Sequence, residues 1–278
     1  MSAAYQFVRN VSACSTRTGV RRSPSRSGFS PSPTRSCLIR SRIVLFYIAL
    51  FCAISALSAQ GDPDALYRER ADMAKAREAA AIWQARLAKD PTDFESAWKI
   101  ARTMYWLGTQ GPTTERRQAL ERGTDAGRRD TMIDPRRPEG HFWMAATMGA
   151  LAESFGLRQG IRYRGPIKDA LETVLRMDPA FQKGSADRAL GRWYFRVPGL
   201  FGGSKKQSEE HLRKSLTYDP NSTASHFFLA ETLLDEDRRA EAVEEFQKVV
   251  NAPIDPDWEL EDLNFKARAR AALMKLGR

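Results

Sequence analysis

The residues able to do chemistry are few and scattered. Histidine occurs three times, at His141, His211 and His226, without the i, i+4 or hairpin spacing that brings two imidazoles onto one metal. All three cysteines, Cys14, Cys37 and Cys52, precede residue 60. Residues 61–278 therefore offer no thiolate nucleophile, thiolate metal site or disulfide. Nucleophile elbows and H-E-x-x-H are absent from the sequence. Its many carboxylates fall on polar helix faces, where solvated charge is the plain reading. No catalytic residue, metal ligand or cofactor site is expected, and the chain reads as a binder rather than an enzyme.

Binding chemistry is better represented. Aromatics crowd the first half: Trp98, Tyr105, Trp106, Phe142, Trp143, Phe155, Trp193, Tyr194 and Phe195. Packing between helices accounts for most such residues, but a subset can line a groove for a peptide or small ligand. Trp143, Arg192 and Trp193 are the better groove candidates, because a guanidinium beside indoles suits an organic anion. Arg192 can equally pair with a carboxylate. Tyr194, next in the chain, and Phe201, in the glycine-rich loop Gly199-Leu200-Phe201-Gly202-Gly203-Ser204, complete the candidate set. That loop leads into Lys205-Lys206 but lacks the order of a phosphate-cradling loop and the strand before it. Ser204 with Gln207 reads instead as a capping box opening a helix, so the loop is a structural turn with a role in partner contact open to it.

The elements that must position these residues are helices. Ile167, Ala170, Leu171, Val174 and Leu175 share one helical face, and Ala242, Val243, Phe246, Val249 and Val250 do much the same. About ten helices are expected, at 63–89, 91–108, 113–132, 138–155, 164–177, 180–196, 204–217, 221–236, 238–251 and 257–276. Asp-Pro pairs recur at 90–91, 134–135, 178–179 and 219–220, in steps of 44, 44 and 41 residues. A fixed period of that size marks stacked supersecondary units. Each pair separates two helical patterns, with proline in a first turn and aspartate placed to cap the helix that follows.

Two stretches give the repeat its type. Leu190-Gly191-Arg192-Trp193-Tyr194 resembles the Leu-Gly-x-x-Tyr pattern of a tetratricopeptide first helix, and Ala230, Ala242 and Phe246 have the spacing of its small and aromatic positions. The fold expected is an all-α tetratricopeptide-like solenoid of helical hairpins, with a period longer than the usual ~34 residues. A closer likeness runs through His141-Phe142-Trp143-Met144-Ala145, Leu151-Ala152-Glu153, Gly191-Arg192-Trp193-Tyr194-Phe195 and the loop 199–204. Together they resemble the T component associated with TRAP transporters (TatT), and the stretch is also similar to the regulator-of-microtubule-dynamics family. The TatT resemblance implies a periplasmic protein that partners a transporter's substrate-binding subunit, with homo-oligomers among its assemblies. The alternative is a general protein-interaction scaffold in envelope assembly. A small hydrophobic or anionic ligand is the other expected partner.

The remaining features belong to the leader. Residues 43–54, IVLFYIALFCAI, form an apolar run after Arg40 and Arg42, followed by small residues up to Ala59. This is the pattern of a secretory signal cut near Ala59; an uncleaved inner-membrane anchor is the alternative and the only membrane contact expected. Phe51 before Cys52 departs from a lipobox. Residues 1–42 hold eight arginines, ten serines and no acid. They read as a basic n-region or as translation upstream of the natural start, with a transit peptide the less favoured reading. The domains expected are thus 1–42, 43–60 and the repeat array 61–278, in a periplasmic or other extracytoplasmic setting. Removing the leader's eight arginines from the 44 basic residues leaves 36 against 34 acids, so the net charge of +10 is largely the leader's. No basic stripe remains in the array, and nucleic acid is set aside as a partner.

Overall fold

A computed structural model describes residues 61–277; the expectations for 1–42, for 43–60 and for a cut near Ala59 lie outside them. Eleven α-helices occur among the described residues: α1 (Pro63–Arg68), α2 (Met73–Lys89), α3 (Phe94–Gln110), α4 (Thr113–Ile133), α5 (Pro138–Ser154), α6 (Leu157–Met177), α7 (Phe181–Arg196), α8 (Lys205–Tyr218), α9 (Thr223–Asp235), α10 (Arg239–Asn251) and α11 (Glu259–Leu276). A single 3-10 turn, Gly199–Phe201, lies between α7 and α8. No helix among them is long and apolar enough to cross a membrane.

Two boundaries differ from the sequence reading. The expected helix 63–89 is two, because the Asp72 carboxylate accepts from the Ala74 N–H at 2.8 Å and opens α2 afresh. Helix α6 starts at Leu157 rather than 164 and runs through Pro166. Proline there removes one donor from the helical ladder, which an otherwise continuous helix tolerates at a cost.

The Asp-Pro pairs act differently from the expectation. Asp90, Asp134, Asp178 and Asp219 each end the preceding helix and accept from the N–H two residues on, at 2.9, 3.0, 2.9 and 3.2 Å. Each carbonyl also receives the N–H three residues on, closing a β-turn with proline at its second position. The aspartate therefore caps the turn, and the next helix begins beyond it, capped by Asp93 for α3 and by Ser222 for α9. Asp255-Pro256 makes the same turn before α11, with Asp257 N–H donating to Asp255 at 3.0 Å.

Successive helices pack as antiparallel hairpins, and the odd-numbered helices α3, α5, α7, α9 and α11 also touch in series, making one wall of the array. Close approach within the hairpins uses small residues. A Cβ on Gly127 of α4 would stand 2.8 Å from the backbone nitrogen of Met144 in α5. Ala230, Ala242 and Phe246 are buried together in the C-terminal core, as a tetratricopeptide pattern requires. The array is curled enough for its ends to meet. Arg70, in the turn before α2, donates to Glu261 in the first turn of α11 at 2.6 Å, and Leu260 packs against the N-terminal core.

Candidate functional site

Curling leaves a cavity of about 1030 Å³ enclosed by the odd-numbered helices, at the upper end of the volumes small-molecule sites have. Tyr67 comes from α1, Tyr105 and Trp106 from α3, Trp143 from α5, Arg188 from α7 and Trp258 from the start of α11. The first half of α6 forms a lip, with the 3-10 turn beside it through the Arg164–Phe201 contact. Leu157, Ile161 and Phe201 line the cavity there and are exposed, and Leu200, next to Phe201 in the turn, is 90% exposed.

Of the five candidates from the sequence, four line this cavity. Trp143 is 3% exposed, and its indole Nε1 is buried without an acceptor. Trp193 is buried in the wall, its N–H given to the Arg164 carbonyl at 2.9 Å. Phe201 sits at the lip under the Arg164 guanidinium, 5.3 Å away. Arg192 lines the wall but is already paired, donating to Glu153 at 2.9 Å and to Glu231 at 2.6 Å. Tyr194 faces away from the cavity. It stacks on His211 at 5.4 Å and meets Trp193 edge-on at 4.9 Å, which makes it packing between α7 and α8.

Arg188 joins the site without having been among the candidates from the sequence. It lies one turn before Arg192 on the same helix face, partly buried in the cavity wall. Among the described residues it has no ion pair and no side-chain hydrogen bond. Burial pulls its pKa down, opposed at a distance by the charges of Asp219 and Asp262. Those acids are occupied elsewhere. Asp262 accepts from Thr223 at 2.5 Å and from the Asp255 N–H at 2.9 Å, and Asp219 holds its own turn. Tyr105 stands near, its ring 5.8 Å from that of Trp143. Burial first, then the charge of Glu153, pushes its hydroxyl up to about 12, while Arg188 pulls the other way.

A signal for this difference exists in the sequence. Arg192 reaches Glu153 and Glu231, each 39 residues away, and Thr223 reaches Asp262 at the same offset. Positions 39 residues either side of Arg188 are Gly149 and Phe227. One arginine thus has an acid on both neighbouring helices and the other has none.

The start of α7 is unusual. Gln182, Lys183 and Gly184 adopt left-handed backbone, with φ of 43, 58 and 74°. For the two residues with a Cβ, strain of about 1–3 kcal/mol each is the usual cost. Lys183 is held there by an ion pair to Asp255 at 2.5 Å, which ties α7 to the loop before α11. The regular part of the helix, from Ser185, carries Arg188 into the cavity. No cluster of acids, histidines or cysteines suited to a metal occurs among the described residues.

Residues 63–206, just over half of the chain, match the family described as regulator of microtubule dynamics protein 1-3. The chain belongs to that family. As a member of the regulator-of-microtubule-dynamics family it also matches, over residues 140–277, the family described as TRAP transporter T-component. No curated protein sequence matches it. Among solved structures it is similar to a thermophilic TPR protein of Thermus thermophilus, at TM-score 0.58 and 19% identity, covering 78% of this chain and 100% of the other. A structure of MamA gives TM-score 0.45 and 16% identity, covering 72% and 95%. The first likeness shows the fold: this family member is a tetratricopeptide-like helical solenoid.

Proposed function

We propose that the chain is an exported adaptor without chemistry of its own, which receives a ligand in its concave cavity and docks a transporter's substrate-binding subunit at the cavity lip. The observation that carries this reading is the joint position of cavity and lip. Residues 140–277, the stretch similar to the TRAP transporter T-component, supply most of both. An unfilled aromatic cavity with unpartnered donors suits a ligand more than a packing role, since interiors otherwise close to crystal-like density. The lip supports a protein contact, because Leu157, Ile161 and Phe201 expose apolar surface at the opening and Leu200 extends it beside Phe201.

The test is direct binding of the full chain to the TRAP substrate-binding subunit of the same organism, by light scattering after size exclusion and by titration calorimetry. A stoichiometric complex is expected, weakened at least tenfold by a Leu200→Asp, Phe201→Asp double variant. Absence of association, or a complex indifferent to the lip substitutions, would remove the transport-adaptor reading.

A further inference from the structure

The chemistry of the cavity's unused groups narrows the ligand. Two donors on the cavity wall stand without acceptors among the described residues: the Arg188 guanidinium and the Tyr105 hydroxyl. Around them the wall is apolar, with Phe142, Ala146 and Ala189 lining the same space. The cavity's acids do not neutralise this wall. Glu153 is taken by Arg192, Glu261 by Arg70 and Asp255 by Lys183. A buried cation without a partner is costly unless something supplies the counter-charge. The missing element is one anionic acceptor, and a carboxylate meets a guanidinium through two parallel N–H bonds.

We propose that the cavity holds a small amphipathic organic acid, its carboxylate on Arg188 with the Tyr105 hydroxyl beside it, and its apolar body against Phe142, Ala146 and Ala189. This rests on the reading of the cavity as a ligand site. A free acid fits better than the C-terminus of a peptide. Each peptide unit would bring a further N–H and C=O needing partners, whereas Phe142, Ala146 and Ala189 offer none from their side chains. Arg164, at the lip and likewise outside any ion pair among the described residues, adds positive charge along the way in. Arg192, the more conspicuous arginine in sequence, serves instead to tie α5, α7 and α9 together through Glu153 and Glu231.

Titration calorimetry on the full chain compares decanoate with decanol and 4-phenylbutyrate with 4-phenylbutanol. Each acid is expected to bind at least tenfold more tightly than its alcohol. Arg188→Gln should erase that ratio while leaving alcohol binding in place, and Arg188→Lys should keep part of it. Arg136→Gln, at a side chain 88% exposed outside the cavity, should change nothing. Should Arg188→Gln lose its helical circular dichroism, Tyr105→Phe carries the test, lowering the acid-to-alcohol ratio. Equal binding of acid and alcohol, an unchanged ratio in the variants, or silence across both acids would overturn the proposal. So would binding of a hexapeptide ending in phenylalanine, dependent on its free carboxylate, with both acids silent. Association with the substrate-binding subunit is measured separately, so failure of the acid series with that complex intact sinks this inference alone.

Discussion

Asp130 gives the sharpest quantitative expectation. It lies in the last turns of α4, 0% exposed, with neither carboxylate oxygen hydrogen-bonded among the described residues. Gly140 of α5 presses so close that a Cβ there would stand 2.5 Å from Asp130 Oδ2. Burial first, then the negative charge of Glu139, pushes its pKa up to about 8, against the pull of Arg137. In the unfolded chain the same group ionises near 3.9. Between roughly pH 4 and pH 8 the folded chain therefore holds a proton that the unfolded chain has released, and stability falls as pH rises. At 1.36 kcal/mol per unit, the three units up to pH 7 cost about 4 kcal/mol. Asp130→Asn keeps the neutral shape without the proton. It should match the parent near pH 4 and exceed it by about 4 kcal/mol at pH 7. Urea unfolding of both chains, followed by circular dichroism at pH 4, 5, 6, 7 and 8, measures the difference directly. The carboxylates held below their ordinary range, such as Glu209 and Asp255, are common to both chains and cancel in it. Parallel stability curves, or an asparagine variant weaker than the parent at pH 8, would refute the placement of an uncompensated acid at this helix contact.

Two further perturbations probe the packing. Gly127→Ala would set a Cβ within 2.8–2.9 Å of the Met144 backbone and Cβ, forcing α4 and α5 apart at a cost of about 1–3 kcal/mol; Gly149→Ala, with nothing within 4 Å, should instead stabilise by about 0.5–1 kcal/mol, and thermal unfolding of the pair compares them. Lys266 is buried and donates to the Val250 carbonyl at 2.9 Å and to the Ala252 carbonyl, so Lys266→Met should leave both acceptors unmet and cost about 2–4 kcal/mol, read as a lowered urea midpoint, whereas an unchanged midpoint would show water replacing the ammonium.

The repeat was legible because its signals are local. A β-turn with aspartate first and proline second fits in four residues, and it ends helices at Asp90, Asp134, Asp178 and Asp219 whatever surrounds it. What those aspartates cap was harder to read. An Asx turn and a helix N-cap use the same side chain, and they differ only in which N–H two or three residues on points back. The start of α6 was missed for a related reason. Gly160, Gly165 and Pro166 are breakers in isolation, yet the helix continues through them because its later part buries Ile167, Ala170, Leu171 and Val174 in the central core.

The candidate site was legible in composition but not in pairing. Aromatic crowding pointed to Trp143 and Trp193, and both line the cavity. Tyr194, adjacent to Trp193, faces the other way because neighbours on a helix are about 100° apart. Which arginine stays free cannot be read from either arginine's own surroundings. Arg188 and Arg192 are one turn apart, on one helix, with similar neighbours; what separates them is the residue that adjacent repeats place opposite each. A solenoid makes that comparison possible, since successive odd-numbered helices face one another at an offset near 39 residues. Acids fill that offset for Arg192, while a glycine and a phenylalanine fill it for Arg188. Were Arg188 only a structural ion-pair partner, an acid at one of those two positions would be the simple solution, as it is four residues later. Gly149 instead leaves room on the cavity wall and Phe227 turns into the C-terminal core, so neither supplies a counter-charge and Arg188 is left for one that arrives from outside.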